Sequence, residues 1–220
     1  MSDIKKTNGE RMEFYRRNLP HWQPMGAEFF ITFRLAGSFP KEAVELLKNK
    51  RKEFRENNRN SDLTAEERGQ FDAEIFKTYE HLLDNPSSGP VWLSNKNVAE
   101  IVVDSIHFYD EQNFELYAFS IMSNHVHLVI RHIKENYDVD LPVTGIMKLI
   151  KSYTGKECNK ILKRSGQFWQ SESYDRVIRD QEELEKVIQY TLNNPVNAKL
   201  VKNWREWPFT YCKPEFVESK

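Results

Sequence analysis

The chain reads ELYAFSIMSNHVHLVIR at residues 115–131, which is the clearest strand pair in its sequence. Two runs rich in aliphatic and aromatic residues, Glu115–Ile121 and Val126–Arg131, flank the short segment Met122–His125. Runs of this length separated by a brief polar break are typical of a β-hairpin. The sequence therefore predicts an antiparallel strand pair at this point of the chain.

The segments around this hairpin extend it into a fold. Phe29–Leu35 alternates between two faces as a half-buried strand does, and Asn194-Pro195 predicts the end of the last helix. Apolar residues recur at helical spacing in three segments, 94–109, 142–163 and 180–194. A short strand-rich piece, 166–178, lies between the last two of these segments. This order predicts an α+β fold, a ferredoxin-like antiparallel sheet with helices packed on one face and the other face open.

The regions flanking this pattern set the expected domain boundaries. Residues 1–27 lack periodicity and contain prolines, so we expect an irregular lead-in there. A single domain is expected over residues 28–211, followed by a tail at 212–220. Within the domain, the highly charged residues 41–90 are interpreted as a helical insertion, in which Thr64–Glu67 has the pattern of a capping box.

The composition excludes several classes of protein. The 220 residues carry 32 basic and 33 acidic side chains, a net charge of −1, and no apolar run approaches the roughly 18 residues of a membrane helix. The first residues lack the apolar segment of a secretory signal. Cys158 and Cys212 have no CxxC spacing, which argues against a disulfide framework or a thiolate zinc site. We therefore expect a cytoplasmic protein with two unpaired thiols.

Local charge differs from the global balance. Residues 142–179 carry eight basic and three acidic side chains, so a contact with a polyanion is expected in this half of the chain. The solvated side of a helix explains the same basic residues equally well.

Candidate chemistry begins with His125 and His127 in the second strand of the hairpin. A strand period of two places both imidazoles on one face, while Val126 and Leu128 point to the other. Two such imidazoles can supply two nitrogen ligands to a divalent ion. A pair of exposed strand histidines without a ligand is the competing interpretation.

The last predicted helix offers groups that can complete such a site. Tyr190 and Asn194 are four residues apart, which places them about 40° apart on the flank of the apolar stripe. Glu183 shares this flank, but its position three residues after Asp180 is better explained by a capping box than by catalysis.

Taken together, these motifs resemble the HUH single-tyrosine transposases, and most closely the branch of REP-associated tyrosine transposases, which act on repetitive extragenic palindromes. The resemblance spans roughly residues 29–209, with 41–90 the poorest match. It rests on an ordered set of motifs: His125-Val-His127, Phe168-Trp-Gln170, Tyr174–Arg179, the helix with Tyr190 and Asn194-Pro195, and Trp207-Pro-Phe209. Residues 28–211 are then expected to form one transposase-like catalytic domain.

The resemblance implies roles for the site residues. His125 and His127 would bind Mg²⁺ or Mn²⁺, Tyr190 would be the nucleophile, and Asn194 would occupy the position of a polar metal ligand that is glutamine in many relatives. The implied reaction is metal-dependent cleavage and rejoining of single-stranded DNA through a 5′-phosphotyrosine at hairpin-forming palindromic repeats. The family further implies a bacterial cytoplasmic protein that joins the nucleoid when bound to DNA, with a monomer favoured over a dimer.

Such a DNA substrate suggests phosphate contacts. Lysines neutralise phosphates and set the register of the strand, which suggests Lys148, Lys151 and Lys156, and Arg34 if its strand face is the working one. Trp169 is an aromatic candidate for stacking on unpaired bases, but ordinary core packing explains it better.

Three alternatives compete with this interpretation. Tyr153 and Tyr174 are other possible nucleophiles. Both rank below Tyr190, because Tyr153 lies near the inward stripe of its helix and Tyr174 lies in a predicted strand. A nucleotide hydrolase with an HxHxH signature is rejected, because its third position is Val129. A catalytically silent protein that binds hairpin DNA or RNA and acts as a regulator is the serious rival function.

Overall fold

The computed structural model describes residues 14–16, 20–22, 26–39, 41–59, 64–84, 89–133 and 141–217 of the chain. Within these residues the helices and strands have the following bounds: β1 Phe14–Arg16, β2 Pro20–Trp22, β3 Glu28–Arg34, α1 Lys41–Asn57, α2 Ala65–Asp84, α3 Lys96–Tyr109, β4 Phe114–Ile121, β5 His125–His132, α4 Val143–Ile161, β6 Tyr174–Val177, α5 Gln181–Asn197, β7 Thr210–Cys212 and α6 Pro214–Val217.

The central element is a five-stranded antiparallel sheet with the strand order β6-β3-β5-β4-β7. The predicted hairpin is confirmed as β4 and β5, which pair from Phe114 opposite His132 to Ile121 opposite Val126. Strand β3 pairs with β5 on its other side, placing Thr32 opposite His127. The unit β3-α3-β4-β5-α4-β6 has the ferredoxin-like order, so the predicted α+β fold class is confirmed.

Helices cover both faces of this sheet. Helices α3 and α4 pack on one side, which we call the α4 face, and its buried residues include Ile31, Phe33 and Leu128. Helices α2 and α5 pack on the other side, the α5 face, where Phe30 and Val129 are buried. The expectation of an open second face was therefore wrong in this detail, because the apolar stripes of α2 and α5 need a surface on which to be buried.

The ends of the domain also differ from the prediction. Residues 14–16 and 20–22 form an antiparallel strand pair within the lead-in that was expected to be irregular, and Pro20 is tolerated because it is the first residue of its strand. The remainder of 1–25 lies outside the described residues. Strand β7 reaches into the predicted tail and α6 lies within it, while residues 218–220 are outside the description.

Helix α5 continues past the residue at which it was expected to stop. Pro195 lies inside it, and the helix ends at Asn197. A proline lacks the backbone N–H of a helical hydrogen bond, but here the missing bond falls in the last turn. The next residues still close the helix, because the Ala198 N–H donates to the carbonyl of Asn194 at 2.9 Å.

The predicted insertion at 41–90 contains α1 and α2. The capping box at the start of α2 is confirmed: the Glu67 N–H donates to the Thr64 hydroxyl at 3.2 Å, and the Thr64 N–H donates to the Glu67 carboxylate at 2.8 Å. Cys158 and Cys212 are free thiols, as expected.

Within the described parts of the chain, no helix combines the length and the apolar character needed to cross a lipid bilayer.

Two of the motifs behind the family resemblance contact strands of the central sheet. The Phe168-Trp-Gln170 segment continues the edge of β3, since the Gln170 N–H donates to the carbonyl of Arg34 and the Ala36 N–H donates to that of Phe168, both at 2.8 Å. Trp207 donates its indole N–H to the carbonyl of Ile121 at 2.9 Å, next to β4. These motifs are therefore structural supports around the centre of the sheet.

Candidate active site

The two histidines of β5 converge on one point of the α5 face. Their Nε2 atoms are 3.0 Å apart, and both imidazoles are fully buried. The alternation of β5 explains the arrangement, because the intervening Val126 and the following Leu128 enter the core of the α4 face. The predicted shared face of His125 and His127 is therefore observed.

Neighbouring side chains orient each imidazole through its other nitrogen. Asn124 donates its Nδ2–H to the carbonyl of Leu83 at 3.3 Å, so its oxygen faces His125, whose Nδ1 donates to it at 2.6 Å. The hydroxyl of Thr32 lies 2.9 Å from Nδ1 of His127 and can accept the proton of that nitrogen. In the tautomer with both protons on Nδ1, the two Nε2 lone pairs point at the same position. Second-shell partners orient metal-binding histidines in the same way.

Burial keeps both imidazoles neutral. Loss of solvent lowers the pKa of His125 to about 3, and it lowers the pKa of His127 well below its ordinary value, with the neighbouring His125 as a second cause. A neutral imidazole nitrogen is the form that binds a metal ion. The electrostatics of the site therefore suit a cation ligand.

Helix α5 brings Tyr190 and Asn194 to the same point. Asn194 Nδ2 lies 3.2 Å from Nε2 of His127 and 3.5 Å from the hydroxyl oxygen of Tyr190. The side chain of Asn194 is completely buried, so it faces the sheet rather than the exposed flank of the helix. Its Oδ1 atom makes no hydrogen bond with any described residue.

A fifth group, Glu80, was not anticipated from the sequence. The Tyr190 hydroxyl donates to Glu80 Oε2, and the same oxygen lies 3.2 Å from Nε2 of His127. Glu80 is only 5% exposed. The inserted helix α2 thus places a carboxylate between the candidate nucleophile and the histidine pair.

The sequence did contain a signal for this residue. Ile75 and Leu83 are buried and Phe76 and Tyr79 are partly buried against the core of the α5 face, so α2 has an inward apolar stripe. Glu80 falls within that stripe. An acidic residue on an otherwise apolar helix face is rarely buried unless it has a partner.

The donors present fit a divalent cation. In octahedral coordination with bonds of about 2.1 Å, neighbouring ligand atoms are about 3.0 Å apart, which is the separation of the two Nε2 atoms. A half-turn of the Asn194 amide would bring its unbonded Oδ1 toward His127. Within the described residues no group of three or more histidine, cysteine, aspartate or glutamate side chains has the spacing of a metal site. The amide oxygen of Asn194 and oxygens of a substrate could supply further ligands.

The predicted DNA contacts do not join this cluster. Lys148, Lys151 and Lys156 line a groove of about 770 Å³ between α4 and residues 166–175. This groove opens on the α4 face, opposite Tyr190. Lys151 is held there by bonds to the carbonyl of Ser171 at 2.9 Å and the hydroxyl of Ser173 at 3.2 Å.

Arg34, predicted as a phosphate contact, is turned inward in this structure. Its guanidinium is buried, donates to the Ser38 hydroxyl at 3.0 Å and stacks over the ring of Phe39 at 4.0 Å. Burial lowers its pKa. Strand alternation placed Arg34 on the correct face, but the chain after β3 folds back over it.

The other sequence candidates lie away from the histidines or have structural roles. Tyr153 is 55% exposed on α4, away from the histidines, and Tyr174 packs against Phe76 with ring centroids 5.1 Å apart. Asp180 caps α5 by accepting from the Glu183 N–H at 2.8 Å. The Glu183 carboxylate accepts from the Arg179 N–H at 2.8 Å rather than from that of Asp180, so only the Asp180 half of the expected capping box is present.

Comparisons with known proteins relate this chain to one family. Residues 92–194 match the family model described as "Transposase IS200 like", and this range includes both histidines, Tyr190 and Asn194 but not Glu80. A putative REP-associated tyrosine transposase of Haemophilus influenzae is 24% identical over 102 residues, covering 44% of this chain and 58% of that protein. The chain thus spans little more than half the length of this curated relative.

The fold is similar to a solved structure from the same group. That structure is a REP-associated tyrosine transposase bound to a REP hairpin, and it matches with a TM-score of 0.50 at 17% sequence identity, covering 90% of this chain and 82% of that chain. The resemblance to REP-associated tyrosine transposases inferred from the sequence is confirmed by these comparisons.

Proposed function

We propose that this chain, which is related through residues 92–194 to the IS200-like transposases, cleaves and rejoins single-stranded DNA at hairpin-forming repeats. The observation that carries the proposal is the convergence of one phenol and two neutral imidazoles in one cluster. Asn194 links them, 3.5 Å from the Tyr190 oxygen and 3.2 Å from Nε2 of His127. A nucleophile beside paired nitrogen ligands is a combination suited to metal-assisted phosphodiester transfer.

In the proposed reaction Tyr190 is the nucleophile. Its Oη forms a bond to the scissile phosphorus and the bond from phosphorus to O3′ breaks, which leaves a 5′-phosphotyrosine and a free 3′-OH. The phenolic proton must leave Oη, and the departing 3′-oxygen takes a proton. Attack by a 3′-OH on the phosphotyrosine reverses these changes, so strands are rejoined without another energy source.

We assign the metal site to His125, His127 and Asn194, with Mg²⁺ or Mn²⁺ as the ion. When bound, such an ion supplies Lewis-acid polarisation of the scissile phosphate and offsets its developing charge. The chain's own contribution is to hold both imidazoles neutral and aimed, through Asn124 and Thr32. It also excludes water, since the cluster is buried under α2.

The groove beside α4 is the proposed site for the hairpin. Lys148 and Lys156 are exposed along it, and lysines at such positions neutralise phosphates without reading sequence. Because the groove and Tyr190 lie on opposite faces of the sheet, the strand leaving the hairpin must pass around the edge strand β6. Entry to the cluster also requires α2 to separate from α5, since His127 and Asn194 are fully buried.

The test is incubation of the full chain with labelled single-stranded hairpin oligonucleotides drawn from the repeats flanking its own gene, with Mn²⁺ or with EDTA. A covalent adduct on denaturing gels, mapped by mass spectrometry to Tyr190 and absent in EDTA, is the expected result. Hairpin binding without an adduct would instead identify a silent regulatory protein on the same fold. An adduct that persists in EDTA would refute the metal site.

A further inference from the structure

The inserted helix α2 supplies a carboxylate that the family match does not contain. Glu80 lies outside residues 92–194, yet its Oε2 accepts the hydrogen bond of the Tyr190 hydroxyl. Two aromatic contacts keep α2 over this point, with ring centroids of Phe76 5.4 Å from Phe30 and 6.0 Å from Tyr190. The carboxylate is therefore held at the candidate nucleophile by packing rather than by a flexible loop.

We propose that Glu80 is a catalytic residue that accepts the proton of Tyr190 as the phenol attacks, and that returns it when the strands are rejoined. This inference rests on the proposed function. The step balances as follows: the Oη–H bond breaks, its proton joins Oε2 of Glu80, the Oη–P bond forms and the P–O3′ bond breaks, with the 3′-oxygen protonated by solvent. Rejoining runs the same changes in reverse.

The chemistry gives this group a purpose that the rest of the cluster does not serve. A phenol holds its proton at neutral pH and is a weak nucleophile until an adjacent base removes it. His125 and His127 have their Nδ1 atoms occupied by Asn124 and Thr32 and their Nε2 atoms turned toward each other. Oε2 of Glu80 is the carboxylate oxygen to which the hydroxyl donates.

Two other roles for Glu80 compete with this one. Its Oε2 lies 3.2 Å from Nε2 of His127, so it could serve as a metal ligand, and a buried anion near the phosphate position could act as an inhibitory plug. The direct hydrogen bond from Tyr190 favours the proton acceptor. Closure of α2 after DNA entry would then complete the catalytic set, as lids do in other enzymes.

The experiment compares single-turnover adduct formation by the wild-type chain and by Glu80→Gln and Glu80→Asp. The probe is the hairpin oligonucleotide that the wild type cleaves best, with Mn²⁺ raised from limiting to saturating. Glutamine keeps the shape of the side chain and can still accept a hydrogen bond from the Tyr190 hydroxyl, but it is a far weaker base. Aspartate keeps the carboxylate, but its side chain is shorter by one methylene. Glu74→Gln is the matched control, because Glu74 is exposed on the same helix and its carboxylate pairs with Lys50 at 2.8 Å.

We expect Glu80→Gln to slow adduct formation by about 10²- to 10⁴-fold, the usual contribution of a general base, with the defect unchanged at saturating Mn²⁺ and hairpin affinity unaffected. Glu80→Asp should be intermediate and Glu74→Gln should match the wild type. Thermal unfolding verifies that each variant is folded. If Glu80→Gln does not fold, Glu80→Asp is compared with the wild type instead.

Other results would overturn the assignment. Recovery of the Glu80→Gln rate by excess Mn²⁺ would make Glu80 a metal ligand, and a rate equal to or above that of the wild type would make it a plug or a bystander. Absence of any adduct with the wild type refutes the proposed function itself and the role of Glu80 with it. That outcome is distinct from a wild type that reacts and a variant that reacts equally well.

Discussion

The two faces of the central sheet are built by the same strands but differ in chemistry. On the α4 face, β5 contributes Val126, Leu128 and Ile130, which join an apolar core. On the α5 face the same strand contributes His125 and His127. Over residues 125–128 a period of two therefore places the two imidazoles on one face and the two aliphatic side chains on the other.

Burial of these polar groups opposes folding. Burying a polar group costs free energy unless it is hydrogen-bonded, and the α5 face buries Thr32, Glu80 and Asn194 in addition to the two histidines. Most of their atoms are paired with each other, while Asn194 Oδ1 has no partner among the described residues. Departures from good packing concentrate at functional sites, so the contrast supports the proposal that the α5 face carries the chemistry, and we expect the α4 face to be the main source of stability.

The sharpest way to separate the faces is to remove one oxygen atom from the α5 face. Tyr190→Phe should abolish the covalent DNA adduct, a loss of at least about 10³-fold, because the attacking atom is gone. The free energy of unfolding should change by no more than about 2 kcal/mol, the scale of one buried hydrogen bond. Adduct formation on denaturing gels and urea unfolding measure the two effects.

Tyr153→Phe is the control for that substitution, since this tyrosine is exposed on α4 and should leave both quantities unchanged. An adduct that survives Tyr190→Phe and maps to Tyr174 would show that Tyr174 is the nucleophile. The proposal would then name the wrong tyrosine but the correct face of the sheet.

The converse test truncates the packed half of the same strand. Leu128→Ala should lower the free energy of unfolding by about 2 to 5 kcal/mol, because it removes buried methyl groups and leaves a cavity. The fraction that remains folded should still form the adduct within a few-fold of the wild-type rate. A stability loss below about 1 kcal/mol would contradict the claim that the α4 face holds the fold together.

The elements that could be predicted from sequence are those whose pattern is local. Strand alternation gave β4 and β5, and helical spacing gave α3, α4 and α5, because each periodicity is complete within one segment. The covering of the α5 face by α2 was not predictable in this way. Phe30, Thr32 and Arg34 form a mixed row on β3, and only the docking of distant helices determines whether such a row is buried.

The candidate site divides along the same line. His125 with His127 and Tyr190 with Asn194 are short-range pairs, so spacing alone located them. Glu80 lies 47 positions before His127 in a charged segment interpreted as an insertion, and no local rule connects the two. The burial of Arg34 was also not predictable from local spacing, because its contact with Ser38 and Phe39 depends on how the chain turns after β3.

The buried histidines of the α5 face should make the stability of the protein depend on pH, which can be tested without any mutation. Burial lowers the pKa of His125 to about 3 and that of His127 well below 6.5, so below about pH 6.5 the unfolded chain binds protons that the folded chain does not. Stability therefore falls as the pH falls from about 6.5 toward 3, by up to about 1.4 kcal/mol per pH unit for each histidine.

Urea unfolding in EDTA between pH 7.5 and 5 measures this dependence. His125→Gln should flatten the curve by the share of one histidine, whereas Leu128→Ala should lower it equally at every pH, since it changes no titrating group. A wild-type curve that is flat across this range would show that the imidazoles are not held neutral in the fold.

The smallest expected effect tests whether the α4 face has a second use, as the surface that holds the hairpin. Lys156→Ala should weaken hairpin binding a few-fold at moderate salt and reduce the magnitude of the slope of log K against log salt concentration by about 0.7 to 0.9, the value for one lost phosphate contact. Lys186→Ala is the matched control, because Lys186 is exposed on α5 and pairs with Glu182.

If the control weakens binding and Lys156→Ala does not, the DNA runs along α5, and both the binding and the chemistry belong to one face. If only Lys156→Ala has an effect, the hairpin is held on the packed face while its free strand crosses the β6 edge to Tyr190, so that cleavage depends on the path between the two faces.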